Sequence, residues 1–295
     1  MLPTDEIINK TMERGDMDSA GAKAIIAELN ALIREFKDKK LEISSWYGKL
    51  AGEKDAFERM NRGYNYSRLE EAVDDDNFPW FLYWEIVWIT LHSDFCKGQT
   101  VLDLGGCSSL FSYYLASKGL EVTAVDSQRA LVQNANHVAR RMGWNLNNYE
   151  MDMRDLDLSR EFDHVTSVCV YEHIPMYDRV KINKTIESLL VPGGKFSITF
   201  DFRNPSRLAR INTPDDVYEQ FVRPSGLEIR GNQDFLDTRG SYLLHPFYYP
   251  GNLTFKLSQI KRGHFRPWEI LKTKKSNDYT FGALFQNKRI PTTRV

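Results

Sequence analysis

Residues 100–112, Thr-Val-Leu-Asp-Leu-Gly-Gly-Cys-Ser-Ser-Leu-Phe-Ser, constrain the fold more than any other part of the chain. A short apolar run leads into two adjacent glycines and then into Leu110, Phe111, Tyr113, Tyr114 and Leu115. This order predicts a buried strand, a tight turn and the first turns of a helix. Gly105 and Gly106 open backbone conformations closed to other residues and let a ligand approach the main chain. Ser108 or Ser109 can cap the helix, whose first N–H groups would face that ligand. Asp103 closes the strand with a carboxylate at the same crevice, and Val-Thr-Ala-Val-Asp126 repeats the strand-then-acid pattern.

Two nucleotide classes use such an arrangement. A dinucleotide fold needs Gly-x-Gly-x-x-Gly to cradle a pyrophosphate. Counting from Gly105, those positions hold Cys107 and Leu110, so the fingerprint fails. An acid two residues before the first glycine would repel phosphate and suits a cationic ligand that carries an ammonium group and a ribose. Taken alone, the turn fits any Rossmann-like βα unit. Asp103 and Gly105 match the Asp/Glu-x-Gly-x-Gly-x-Gly motif, while Cys107 and Ser109 stand where glycines are usual. At these residues the sequence resembles the class I S-adenosylmethionine (SAM)-dependent methyltransferases, in particular their type 11/12 group.

The chain from residue 100 onward alternates strand and helix, which predicts a parallel sheet covered on both faces. Strands are expected at 100–104, 121–125, 148–151, 164–170 and 196–200, with further candidates at 227–229 and 279–284. Helices are expected at 109–118, 129–141 and 178–190, and Thr213-Pro-Asp-Asp216 is a strong helix start. Asp103, Asp126, Asp152, Glu172-His173 and Pro192-Gly193-Gly194 each fall at a strand end or connecting turn, where open α/β sheets bind ligands. The resemblance implies an α/β, Rossmann-like fold with a seven-stranded, mostly parallel sheet and SAM as cofactor. It also implies roles: Gly105, Gly106 and Cys107 pass under the methionine part, and Asp103 holds its ammonium. Asp126, with Ser127 beside it, takes the ribose hydroxyls; Asp152 accepts from the adenine amino group, with Met153 against the ring. Val170 and Tyr171 line the methionine and acceptor side.

A general base is needed only for a weakly acidic hydroxyl or a protonated amine. His173 is the first candidate, because the end of the fourth strand borders the transferred methyl in this fold; a histidine held beneath the pocket is the competing reading. His245, in Leu-Leu-His-Pro-Phe-Tyr-Tyr249, is the second, and a loop histidine among packing aromatics competes with it. Glu172 reads as a structural or solvent-orienting acid and not as a metal ligand, and no histidine–carboxylate spacing marks a metal site.

The ends of the chain are less regular. Residues 1–95 read as a helical N-terminal extension, and 96–295 as the SAM-binding domain with an acceptor-lid insertion at about 231–278. Ile25, Ile26, Leu29, Leu32, Ile33 and Phe36 form one apolar stripe that must dock on its own chain or on a second copy, so a homodimer through this helix is open. Tyr64 or Arg68 can reach the cofactor, since such N-terminal segments close over SAM in the resembling family. The insertion mixes aromatic and basic residues over a length more often functional than idle. Phe78-Pro79-Trp80 leading into an aromatic helix is similar to methyltransferases encoded with surface-glycan biosynthesis.

A net charge of −1 and 42% hydrophobic residues exclude disorder and polyelectrolyte behaviour. Cys96, Cys107 and Cys169 form neither a Cys-x-x-Cys site nor a disulfide framework. The start lacks a signal sequence, and the apolar stretch 78–91 is too short to span a bilayer and carries Glu85, so a cytoplasmic location is expected. The expected activity is methyl transfer to oxygen or nitrogen of a small-molecule or glycan-precursor acceptor. One alternative is an RNA methyltransferase using the basic segment 256–295. It is disfavoured because the chain is near neutral and carries Tyr171-Glu-His-Ile in place of the Asn/Asp-Pro-Pro-Tyr/Phe motif. The other is a catalytically silent SAM-binding subunit.

Overall fold

The computed structural model describes residues 6–45, 48–50, 78–203, 211–240, 242 and 280–291. An eight-stranded sheet organises them. Its strands are β1 (Lys10–Thr11), β2 (Thr100–Leu104), β3 (Glu121–Asp126), β4 (Leu146–Glu150), β5 (Phe162–Val168), β6 (Leu190–Phe202), β7 (Glu228–Ile229) and β8 (Thr280–Asn287). The spatial order is β1-β8-β6-β5-β2-β3-β4, and β7 also pairs with β8. Strands β2 to β6 run parallel, while β8 runs antiparallel to β6. Seven strands are those expected from the sequence; the eighth, β1, comes from the N-terminal region and pairs Lys10 with Ala283.

Alternation along the strands gives each face of the sheet its own core. Val101, Val122, Ala124, Phe281 and Phe285 face one side. Leu102, Leu104, Val125, Val165, Ile198 and Leu284 face the other. On the first side lie α1 (Ala20–Asp38), α2 (Trp80–His92), α3 (Leu110–Ser117) and α4 (Arg129–Met142). On the second lies α5 (Met176–Leu189), followed further on by the single turn α6 (Pro214–Val217). The Ser19 hydroxyl caps α1 by accepting from the Ala22 N–H, a bond of the kind worth about 1 kcal/mol. All six residues of the α1 stripe are buried within this chain, with Phe36 4.9 Å from Tyr113 between ring centroids. That burial accounts for the stripe without a second copy. Helix α2 is apolar all round and correspondingly enclosed: Trp80, Phe81, Tyr83 and Trp84 are buried.

Several bounds differ from expectation for local reasons. The fourth predicted strand ends at Val168 and not at residue 170, because Cys169 turns to φ 53° and its N–H donates to the Thr199 carbonyl. Strand β6 starts at Leu190, six residues early, since Gly193 and Gly194 exchange backbone hydrogen bonds with Lys288. Gly143 closes α4 in the left-handed conformation, as its position predicts.

The chain leaves β2 toward β3 on one side and returns after β4 to β5 on the other. This reversal beside β2 opens a crevice at the strands' carboxyl ends, the ligand position in such sheets. Residues 231–240 follow the N-terminal strand, where the Thr11 N–H donates to Leu236 O and the Leu236 N–H to Asn9 O. Most of the predicted lid, including His245, lies outside the described residues, as do Tyr64 and Arg68.

Candidate active site

The loop after β2 is built around Asp103. Its carboxylate is 1% exposed and accepts from the Ser112 hydroxyl at 2.6 Å and the Thr166 hydroxyl at 3.0 Å. Burial raises its pKa to about 6, the two hydroxyls oppose that shift, and Asp126 adds to it. The glycines are there for space. A Cβ on Gly106 would stand 1.9 Å from Asp103 Oδ2, and one on Gly105, at φ 77°, would stand 2.5 Å from Val170 Cγ1. Ser109 caps α3 by accepting from the Ser112 N–H. Ser108 is buried and donates to Leu131 O, while Asn134 bridges Ser108 Oγ to Glu42 O. The loop is therefore pinned from the N-terminal region as well as from the sheet. Burial pushes the Cys107 thiol far above the ordinary range, which makes it an inert packing group.

Asp126 ends β3 at the same edge, 8% exposed, with the Gln128 N–H donating to Oδ1 at 2.8 Å. Burial raises its pKa, and the N–H groups of Gln128 and Ser127 pull it back. Ser127 itself is exposed. Asp152 caps a short turn and is clasped by its neighbour: Arg154 donates to it through N, Nε and Nη2 and holds its pKa down. Met153 is buried in the second core. Val170 is half-buried against Gly105. The Tyr171 ring is fully buried, and its hydroxyl donates at 2.5 Å to Asn183 Oδ1 on α5. Its side chain thus serves the second core, while its backbone continues the strand-end turn.

At the turn after β5 the fold assembles a group that spacing did not reveal. Cys169, Glu172, His173 and Asp201 bring one ligand atom each within 4.8 Å of one another. His173 is exposed, with Nε2 3.8 Å from Glu172 Oε1. The Asp201 N–H donates to that same Glu172 oxygen. Glu85 of α2 joins them from beneath, 0% exposed, its pKa raised well above the ordinary value first by burial. The Thr199 hydroxyl and Cys169 thiol temper that shift, and Glu172 and Asp201 reinforce it; none closes a full hydrogen bond to either Glu85 oxygen. Sequence reasoning passed over Glu85 and Asp201. The one available signal was a lone acid inside the apolar stretch 78–91.

A methyltransferase-domain family model matches residues 101–194, from β2 into β6. The chain is 32% identical over 178 residues to a ubiquinone biosynthesis O-methyltransferase of Coxiella burnetii, covering 55% of this chain and 73% of that protein. The chain belongs to the class I SAM-dependent methyltransferases. A second such O-methyltransferase, from Xanthomonas axonopodis, is 33% identical over 114 residues, covering 38% of this chain and 47% of its own. Among solved structures, the YcgJ protein of Bacillus subtilis superposes with a TM-score of 0.51 at 15% identity, over 71% of this chain and all of that one. The [4+2]-cyclase SpnF gives 0.50 at 16% identity, over 70% of this chain and 80% of its own. Those two likenesses concern the fold.

The methyltransferase's own residues suit SAM. Its crevice is bounded by the β2 loop, where Gly105 packs against Val170 with no room for a Cβ, and Asp126 stands at the edge as an acceptor. Asp103 is a buried carboxylate with no cation beside it among the described residues, a charge that an ammonium group would stabilise. No helix among the described residues is long and apolar enough to cross a membrane.

Proposed function

We propose that this methyltransferase moves a methyl group to an oxygen or nitrogen of a small-molecule or carbohydrate-like acceptor that approaches from the side of His173. The carrying observation is the contact of Val170 with Gly105, which joins the cofactor loop to the turn bearing His173. The names of the ubiquinone O-methyltransferases favour oxygen as the atom methylated. When bound, SAM supplies an electrophilic methyl on a sulfonium.

Methyl transfer of this kind is an in-line displacement, so the protein's work is to align the reactants and exclude water. Alignment alone can remove roughly 7–11 kcal/mol of barrier. Gly105, Gly106 and the buried Cys107 carry the methionine part past the start of α3, and the Asp103 charge favours its ammonium. The Asp126 carboxylate holds the ribose. Met153 and Asp152 bound the adenine side, where Asp152 must accept in competition with Arg154. Val170 and the Tyr171 backbone separate cofactor from acceptor, and His173 meets the acceptor. The aromatic and basic stretch 231–278, with His245, is the acceptor wall on its composition.

Isothermal titration with S-adenosylhomocysteine, together with transfer of labelled methyl to a panel of hydroxyl- and amine-bearing small molecules, tests this. Asp126→Ala should weaken binding by about ten- to a thousandfold, since charge-assisted hydrogen bonds are worth roughly 1.5–3 kcal/mol each. His173→Ala should leave binding within a few fold and depress transfer. A wild-type protein that binds no S-adenosylhomocysteine overturns the reading.

A further inference from the structure

We infer that Ser108 and Asn134 are positioning residues for the cofactor: together they lock the second half of the β2 loop and set its distance from Asp126. The inference rests on the placement of SAM given above. It starts from the departure of this loop from the glycine-rich motif, with Cys107 and Ser109 where glycines are usual. The chain must still turn from β2 into α3, and it does so by putting Ser108 at φ 64°. That left-handed conformation costs a residue with a side chain energy, and it persists only where the surroundings over-determine it. A glycine would turn there freely; a serine has to be held.

What holds it is a set of contacts from distant parts of the chain. Ser108 is fully buried. Its hydroxyl donates to Leu131 O at 2.6 Å and accepts from Asn134 Nδ2 at 2.9 Å, and its carbonyl accepts from the Ser44 N–H at 2.8 Å. The same Asn134 amide donates to Glu42 O at 2.9 Å, so one side chain of α4 binds the loop and the N-terminal region at once. At the other end of the loop the Gly105 N–H donates to Val125 O at 2.8 Å. The stretch 125–134 therefore grips the loop at both ends and carries Asp126 between the two grips. A ligand with its methionine part on the loop and its ribose on Asp126 binds best when that spacing is set before it arrives. Where the spacing is not set, binding must also order the loop, and affinity falls. The Ser108 hydroxyl is committed to α4, so the residue acts through the course of the backbone.

The test is calorimetric titration of the full chain with S-adenosylhomocysteine, beside thermal melts. Asn134→Ala and Ser108→Ala should each weaken binding about three- to tenfold, the effect of one lost hydrogen bond on the loop. The double variant should bind no more weakly than the poorer single one, because the two side chains hold one loop. Amide exchange over residues 105–109 should quicken in the ligand-free variants and return to the wild-type level at saturation. Ser19→Ala, which removes the cap of α1, controls for lost stability: it should melt lower and bind as the wild type does. Wild-type affinity in both single variants, or losses that multiply in the double variant, overturns the inference. Asn134 is only half-buried, so Asn134→Ala decides alone if Ser108→Ala fails to fold. A wild type that binds no S-adenosylhomocysteine removes the SAM placement itself, whereas tight binding by wild type and variants alike removes only the lock.

Discussion

Replacing Asp103 by asparagine tests whether the cofactor loop is built around an uncompensated buried charge. The carboxylate is fully enclosed, and burial sets its pKa at about 6 against an ordinary 3.8. Because the folded value is the higher one, the folded state binds the extra proton between those two pH values. This group's contribution to stability is therefore full below 3.8 and is lost as pH rises through about 6, amounting to about 3 kcal/mol. Asp103→Asn keeps the shape, and the Ser112 and Thr166 hydroxyls can turn to serve either end of the amide. Without ligand, the variant should gain on the wild type by about 3 kcal/mol as pH rises from about 4 to about 7. Binding should move the other way: at neutral pH the variant has lost the charge that favours the ammonium, so S-adenosylhomocysteine should bind it more weakly. Wild-type affinity should fall as pH drops through about 6, and the variant's should not. Urea unfolding across this pH range, with parallel titrations, measures both. A flat stability difference, or a variant that binds as tightly as wild type at neutral pH, would show that Asp103 carries no such charge.

Two further substitutions separate loop geometry from core packing. Gly105→Ala puts a side chain at φ 77° and a Cβ 2.5 Å from Val170 Cγ1; the backbone alone costs about 1–2 kcal/mol, so melting temperature and S-adenosylhomocysteine affinity should fall together. Unchanged values in both assays would mean that Val170 does not close the cradle. Tyr171→Phe strands Asn183 Oδ1 in the second core, which should cost about 1–3 kcal/mol of stability, with ligand affinity kept within a few fold. A collapse of affinity at constant melting temperature would instead put the tyrosine hydroxyl on the cofactor.

What the sequence determined alone was local and periodic. The apolar run 100–104, the paired glycines and the Ser109 cap are all written in neighbouring residues, and strand β2 and helix α3 begin where those signals put them. The α1 stripe likewise named its own buried face, since every third or fourth residue of a helix lies on one side. Tertiary structure decided what these elements touch. It seated Lys10–Thr11 on β8, a pairing between residues far apart in the chain with no local signature. It turned the Tyr171 side chain into the second core and clasped Asp152 with Arg154, although both stand at strand ends that read as ligand-facing. It also brought Glu85 from α2 and Asp201 from β6 to the turn at Cys169, Glu172 and His173. A strand end tells where a carboxylate leaves the sheet. The partners that register and packing set against it decide whether it meets ligand or proton.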